Sequence, residues 1–506
     1  MTPDAAGVVP AVRGLLGAAM RVYSGGPAEP ALQATAARMG EPLRVAIAGR
    51  VKAGKSTLLN ALVGQELAAT DAGECTRLVT WYVDGVAYRV DVHPIAGPPR
   101  QLPFRQPHGS LEIDLGDLPP ERVERLVVTW PSPTLRRTML IDTPGIGSVN
   151  TEVSERSERV LAPGDGEVTA ADAVVYLMRH AHGDDARFLE AFRDSAVDRR
   201  TVNTIAVLSR SDEIGHARPD ALTTAARIAD RYRLDPRVRA LCQTVVPVAG
   251  LLASSAASLR EAEYRAFAAL AGSSDTERLL LTADRFETLE TDGPVSTADR
   301  TALLRRYGLF GVRTAIRLVR DGEVTGATDL ARELTTASGV RELQHLLHTQ
   351  FGARAEVLKA RSALAALEGV LRRHPVPGAQ GLAHQLERVQ ASAHEFAEIA
   401  LIDDLRSRRV LLPESELHDA ERLLGGDGMD AATRLGLDPR AGQEAVRRAA
   451  AEQHQRWQRR AESPAVTRER AQAARVLVRT CEGILSSGRA EYSAAAPGRG
   501  GVGRYS

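Results

Sequence analysis

The sequence predicts an α/β P-loop domain, with a mostly parallel sheet carrying extra antiparallel strands, joined to an extended α-helical bundle. Three observations carry this. Leu43–Gly49 (LRVAIAG) is an apolar, strand-like run entering the glycine-bounded loop GRVKAGKS, and STLLNALVG continues at helical spacing to a stop at Gly64. Strand-like and helical runs then alternate to about residue 255, the pattern of a parallel sheet flanked by helices. From about 256 the strands cease and amphipathic helical segments follow one another.

In chain order, residues 5–23 place Val8, Val12, Leu15, Leu16, Ala19 and Tyr23 on one helical face, and Gly25-Gly26 ends that pattern. A second short helix fits 28–39. After the glycine loop, β-rich runs at 77–83, 87–95, 111–115 and 123–130 supply the extra strands. RTMLIDTPG, DAVVYLMR, VNTIAVLSRSD and QTVVPVAG supply the later ones. Helices are expected over 257–272, 276–290, 298–320, 327–370, 380–409, 414–424, 441–462 and 466–487. RRHPVPGAQG (372–381) is a sharp break, a hairpin tip or linker. The expected organisation is therefore N-terminal helices over 1–40, the nucleotide domain over 41–255, a helical region over 256–488 and a disordered tail over 489–506.

Composition narrows the function classes. A chain of 506 residues exceeds one compact core, and 43% hydrophobic with 25% charged residues is ordinary for a globular protein. A formal charge of +1 gives no bulk attraction to nucleic acid or acidic membrane. Cys75, Cys242 and Cys481 have no metal-binding spacing, which fits a reduced, cytoplasmic setting. Neither a signal peptide nor a membrane-spanning run is expected, so membrane contact would be peripheral.

Only three of the 65 basic residues are lysines: Lys52, Lys55 and Lys359. Two share the glycine loop, where Gly49-x4-Gly54-Lys55-Ser56 fits the P-loop pattern in full. Its glycines turn backbone N–H groups inward around phosphates, and the following helix adds its positive dipole end. Gly49, Arg50, Val51, Lys52, Ala53, Gly54, Lys55, Ser56 and Thr57 are the expected nucleotide contacts. Lys55 would reach the β- and γ-phosphates, where a slim ammonium fits and a forked guanidinium does not. Ser56 would ligate Mg2+. The pattern does not demand Lys52. Its ammonium either offsets transition-state charge near the phosphates or is simply solvated.

MLIDTPG separates nucleotide classes. Asp142 would hold Mg2+ through water and the Gly145 amide would meet the γ-phosphate, whereas many ATPases end this strand in Asp-Glu. Ser209-Arg210-Ser211-Asp212 approaches the Asn/Thr-Lys-x-Asp signature of guanine-binding proteins. Asp212 would accept from guanine N1 and the exocyclic amine, and Arg210 can stack on the base. VVPVAG (245–250), with Ala249, reads as the last base-contacting loop. Thr76 is the candidate switch threonine sensing Mg2+ and γ-phosphate; alternatively it opens the next strand. Ile146 follows Gly145 where many regulatory GTPases place a water-orienting glutamine, which implies slow turnover in a monomer.

With these residues in hand, the chain resembles the bacterial dynamin-like GTPases, closest to their actinobacterial isoniazid-inducible type. GRVKAGKSTLLNALVG, AGECTRLVTWY, DTPG and SRSD carry the resemblance, over about 45–255. It implies a GTPase (GTP to GDP and phosphate) using Mg2+, whose head dimerises with nucleotide, with itself or a paralogue. It further implies neck and trunk helices before 41 and after 255, lipid contact at a far tip, and remodelling, fusion or maintenance of the inner face of the cell membrane. Val51 and Lys52 stand where eukaryotic dynamins carry Gln-Ser, a departure in the catalytic loop. HPVPGAQG is the candidate tip, or an ordinary turn. RHAHGDDARFLEAF (179–192) reads as a capped helix with solvated histidines, or as a metal site; in the family it lies near the head interface. Two other functions remain open: a nucleotide switch or scaffold for a protein partner, and a ribosome- or RNA-associated assembly GTPase. The helical half lacks aromatics for base stacking, so nucleic acid is not an expected partner.

Overall fold

The structure is a computed structural model that describes residues 7–68, 78–105, 111–145, 170–179 and 203–495, with side chains to 486. It divides into two compact units. One comprises residues 12–383; the other comprises residues up to 11 together with 384 onward.

The first unit is built on a nine-stranded sheet in the order β11-β10-β9-β1-β8-β2-β7-β3-β4. Its strands are β1 (Leu43–Gly49), β2 (Thr80–Val83), β3 (Arg89–Pro94), β4 (Arg100–Gln101), β7 (Val123–Thr129), β8 (Thr138–Asp142), β9 (Ala173–Met178), β10 (Thr204–Ser209) and β11 (Val245–Val248). β5 (Phe104–Arg105) and β6 (Glu112–Ile113) form a separate two-stranded ribbon. The run β11-β10-β9-β1-β8 is parallel throughout. Antiparallel pairing enters at β8–β2, β7–β3 and β3–β4, while β2 and β7 are parallel to each other. The expected parallel sheet with antiparallel additions is therefore present. β9 and β10 are buried at every position, as central strands covered on both faces must be.

The helix Lys55–Val63 packs on β1 and β8, and the helix Ala221–Leu234 packs on β11. α1 (Val8–Val22) buries Val12, Leu15, Leu16 and Ala19, and α2 (Glu29–Arg38) follows. α3 (Lys55–Val63) starts at Gly54 and ends at Gly64, both at positive φ, the backbone sign that glycine adopts without cost. The third lysine has a structural position: Lys359 Nζ is buried and donates to the carbonyls of Met39 and Glu41, both at 3.1 Å, pinning the end of α2 to the helix Ala355–Arg373. Beside it, fully buried Asp172 accepts from Arg38 (2.6 Å), the Arg44 amide (3.0 Å) and Ser362 (2.9 Å).

Several helical stretches differ from the sequence reading: the expected helix 276–290 is divided into Thr276–Leu279 and Ala283–Thr288, and 380–409 into Ala379–Ser392 and His394–Arg406. The expected helix 327–370 is divided at Gly339, whose φ of 77° ends a helical run, and by a wide π turn at Leu347–Gly352. The expected helix at 298–320 is one run, Thr297–Arg320, but Gly308 inside it is not helical. The break expected at 372–381 is a turn between Ala355–Arg373 and Ala379–Ser392, with Tyr23 Oη donating to the His374 carbonyl at 2.8 Å.

In the second unit, helices Gln443–Glu462 and Arg468–Ala495 pair as a hairpin, with Trp457 and Cys481 buried. Glu398 accepts from Arg434 (2.5 Å) and Thr480 (2.7 Å). Burial raises its carboxyl, but His394, Arg434 and Thr480 outweigh that and hold it at about 2.

Candidate nucleotide-binding site

Parallel strands that share a direction bring their C-terminal ends to one edge, where open α/β sheets bind ligands. Here that edge collects Gly49, Asp142, Ser209 and Val248 from β1, β8, β10 and β11.

Around the loop after β1, the backbone takes positive φ at Gly49 (150°), Lys52 (63°) and Gly54 (94°), the alternation that turns successive N–H groups toward an anion. Gly49 has no room for a side chain: a Cβ would lie 2.6 Å from the Leu177 carbonyl. Lys55 Nζ folds back to the carbonyls of Gly49 and Arg50, both at 3.2 Å. Burial lowers its pKa, and the nearby Asp142 opposes that shift. Lys52 and Val51 are exposed on the loop.

Ser56 Oγ lies 3.0 Å from Asp142 Oδ2. The second oxygen of Asp142 is enclosed and has no hydrogen-bond partner among the described residues. Burial raises the Asp142 carboxyl, with Lys55 and Ser56 pulling the other way. An enclosed carboxylate oxygen beside a hydroxyl is a donor set suited to a hard divalent cation, so these residues fit Mg2+. Bound there, the ion would neutralise phosphate charge.

The DTPG turn is held against the P-loop. Thr143 Oγ1 donates to the Ile47 carbonyl at 2.9 Å. A Cβ on Gly145 would lie 2.6–2.9 Å from Cγ2, Cα and N of Val51, so glycine is required by the close approach of the two loops. Thr76, Ile146 and the histidines at 180 and 182 lie outside the described residues.

A cleft opens beside the loop, lined by Ala53, Gly54, Thr57, Ser209, Arg210, Asp212, Val248, Gly250 and Leu251 among others. Ser209 Oγ donates to the Met178 carbonyl (3.2 Å) and Ser211 Oγ to the Leu208 carbonyl (2.6 Å), which fix the turn that presents Asp212. Arg210 adopts a left-handed φ of 52° and pairs with Glu213 at 2.8 Å. Asp212 is buried, and desolvation pushes its carboxyl up to about 6. Ala249 behaves differently from its neighbours. Its amide donates to the Ser338 carbonyl at 2.9 Å, while Val248, Gly250 and Leu251 face the cleft. Sequence reasoning missed Leu251 and Ser338; the second lies 89 positions beyond the loop it holds, and no motif signals it.

Fold and donor set define a GTPase-type P-loop domain, and residues 44–208 match the 50S ribosome-binding GTPase family. Over 494 residues the chain is 40% identical to the isoniazid-induced protein IniC of Mycobacterium tuberculosis, covering 96% of this chain and 98% of that one. It is 29% identical over 163 residues to a bacterial dynamin-like protein of Nostoc punctiforme, covering 29% of this chain and 22% of that one. A solved oligomerised bacterial dynamin pair aligns over 96% of this chain and 73% of its own at 12% identity, with a TM-score of 0.30 too low to carry an argument. The chain belongs to the bacterial dynamin-like GTPase family, with IniC as a near-full-length relative.

Proposed function

We propose that this protein binds and hydrolyses GTP with Mg2+, and that nucleotide-dependent pairing of its GTPase units drives membrane remodelling, fusion or maintenance at the cytoplasmic face. The observation that carries the catalytic part is the cluster of Lys55, Ser56 and Asp142. Lys55 occupies carbonyls at the mouth of the P-loop, Ser56 sits 3.0 Å from Asp142, and an enclosed carboxylate oxygen is left without a partner. In this reading the P-loop amides hold the phosphates, Ser56 and Asp142 hold Mg2+, Asp212 reads guanine, and the Gly145 amide meets the γ-phosphate. Thr76, outside the described residues, would add its hydroxyl to the ion's donor set. Lys52, exposed on a loop beside the phosphates, supplies positive charge as the γ-phosphate leaves. The helices before 41 and after 255 serve as neck and trunk.

The membrane part is supported by family membership. Among the described residues no helix is long and apolar enough to cross a membrane, so lipid contact in this reading is peripheral. The test is co-sedimentation with anionic liposomes, with and without a GTP analogue, while GTP turnover is followed across protein concentration. Turnover per molecule should rise with concentration and with liposomes. Absence of lipid binding together with unchanged turnover would replace the membrane reading with a nucleotide switch acting on a protein partner.

A further inference from the structure

The helix Thr297–Arg320 is broken once, at Gly308, where φ is 64° and ψ is 171°. Glycine alone occupies that backbone region without strain, and such strain gathers at ligand clamps and switches. The break lies against the base cleft. A Cβ at Gly308 would be 3.7 Å from Asp212 Oδ2 and 3.8 Å from Leu251 Cδ2, and both residues line that cleft.

Both halves of the helix are anchored to the helix after β11, and the downstream half is also anchored to the turn after Asp212. Upstream of the break, Ser255 Oγ donates to the Arg306 carbonyl, and Arg306 Nη2 donates to the Ser258 carbonyl at 3.1 Å. The same guanidinium lies 2.7 Å from Glu263 and 3.6 Å from Glu66, which follows α3. This half is thus tied to the helix after β11 and to the end of the P-loop helix. Downstream, Arg313 Nη1 donates to the Ala217 carbonyl at 2.7 Å, in the turn after Asp212. Gly311 packs so closely that a Cβ would meet Leu252 at 2.9 Å.

We propose that Gly308 is a positioning residue for guanine recognition: the kink backs the Asp212 and Leu251 wall of the base cleft, so that seating guanine and holding the kink are one equilibrium. This rests on the nucleotide reading above and extends it to a residue far outside the P-loop motifs. A base in the cleft presses the Asp212 turn and the helix after β11 into one spacing. Those are the two elements that Arg313 and Arg306 hold. Closing that wall also keeps water from Asp212, whose two acceptor oxygens must meet the two donors on guanine.

Hydrogen–deuterium exchange on the full chain tests this, with and without saturating GDP, alongside G308A titrated with GDP and with inosine diphosphate, which lacks the exocyclic amine. GDP should slow exchange of amides 304–314 about tenfold or more. G308A should bind GDP about tenfold or more weakly, and its preference for GDP over inosine diphosphate should shrink. A loss of stability alone would leave that preference unchanged. The proposal is overturned if GDP binds the unsubstituted chain without changing exchange over 304–314, or if G308A keeps the full preference. The exchange experiment decides the matter even where G308A does not fold. Failure of the unsubstituted chain to bind GDP at all would instead remove the nucleotide reading on which this rests.

Discussion

Lowering the pH should weaken guanine binding through Asp212, by an amount the structure sets. Burial pushes this carboxyl from 3.8 up to about 6, with Glu213 adding to the shift and a backbone hydrogen bond and Arg210 opposing it. Guanine presents two N–H donors, so it binds the ionised form. For a ligand bound only by the carboxylate, the apparent Kd grows by a factor of 1 + 10^(pKa − pH). With a pKa of about 6 that factor is negligible at pH 7.5 and about 11 at pH 5, or about 1.4 kcal/mol. The empty protein shows the opposite sign. Because the folded pKa is raised, protonated Asp212 favours folding below about 3.8, and that contribution is lost as pH rises through about 6. Ionised in an empty cleft at neutral pH, it costs on the order of 3 kcal/mol, which guanine's donors offset in part. The assay is calorimetric GDP titration between pH 5 and 8 on the unsubstituted chain and on Asp212→Asn. The terminal phosphate of the nucleotide also titrates near about 6, so the ratio of the two proteins isolates the side chain. A ratio that stays flat across this range would refute the assignment of Asp212 to the base.

Three further outcomes follow from the geometry. Gly145→Ala would place a methyl 2.6–2.9 Å from Val51, two of the three contacts being backbone, so the loops must separate. Turnover should fall about 100-fold or more with a smaller loss of GDP affinity, read by single-turnover kinetics. Lys52→Arg keeps the charge on an exposed loop but changes its shape, so turnover should fall while GDP affinity holds; unchanged turnover would mean a merely solvated lysine. Asp172→Ala removes the fully buried carboxylate paired with Arg38, which should cost about 3–5 kcal/mol in a denaturant titration of the chain.

Much of the site was legible in the sequence because its chemistry is local. A P-loop is a run of consecutive backbone amides, so GRVKAGKS announces itself, and the φ values at Gly49, Lys52 and Gly54 have the signs that an anion nest requires. Asp142 ends a short apolar strand and Asp212 follows one by three residues, a pattern readable without coordinates. The parallel run and the antiparallel strands after α3 were equally visible as alternation and spacing. What the linear pattern hid was the partner of each group. Nothing in VVPVAG says that the Ala249 amide will be taken by Ser338, and helical periodicity at 298–320 passes through Gly308 without a mark.

The sequence by itself determined which groups can meet a triphosphate, a metal ion and a guanine, because those abilities belong to residue types at short spacing. Only the tertiary structure decided how the site is walled. That depends on close approaches between segments nearly 100 residues apart, such as Gly145 against Val51 and Ala249 against Ser338. Contact at such separations is a property of the packed chain, where the absence of a single Cβ counts, and hydrophobic periodicity carries no record of it.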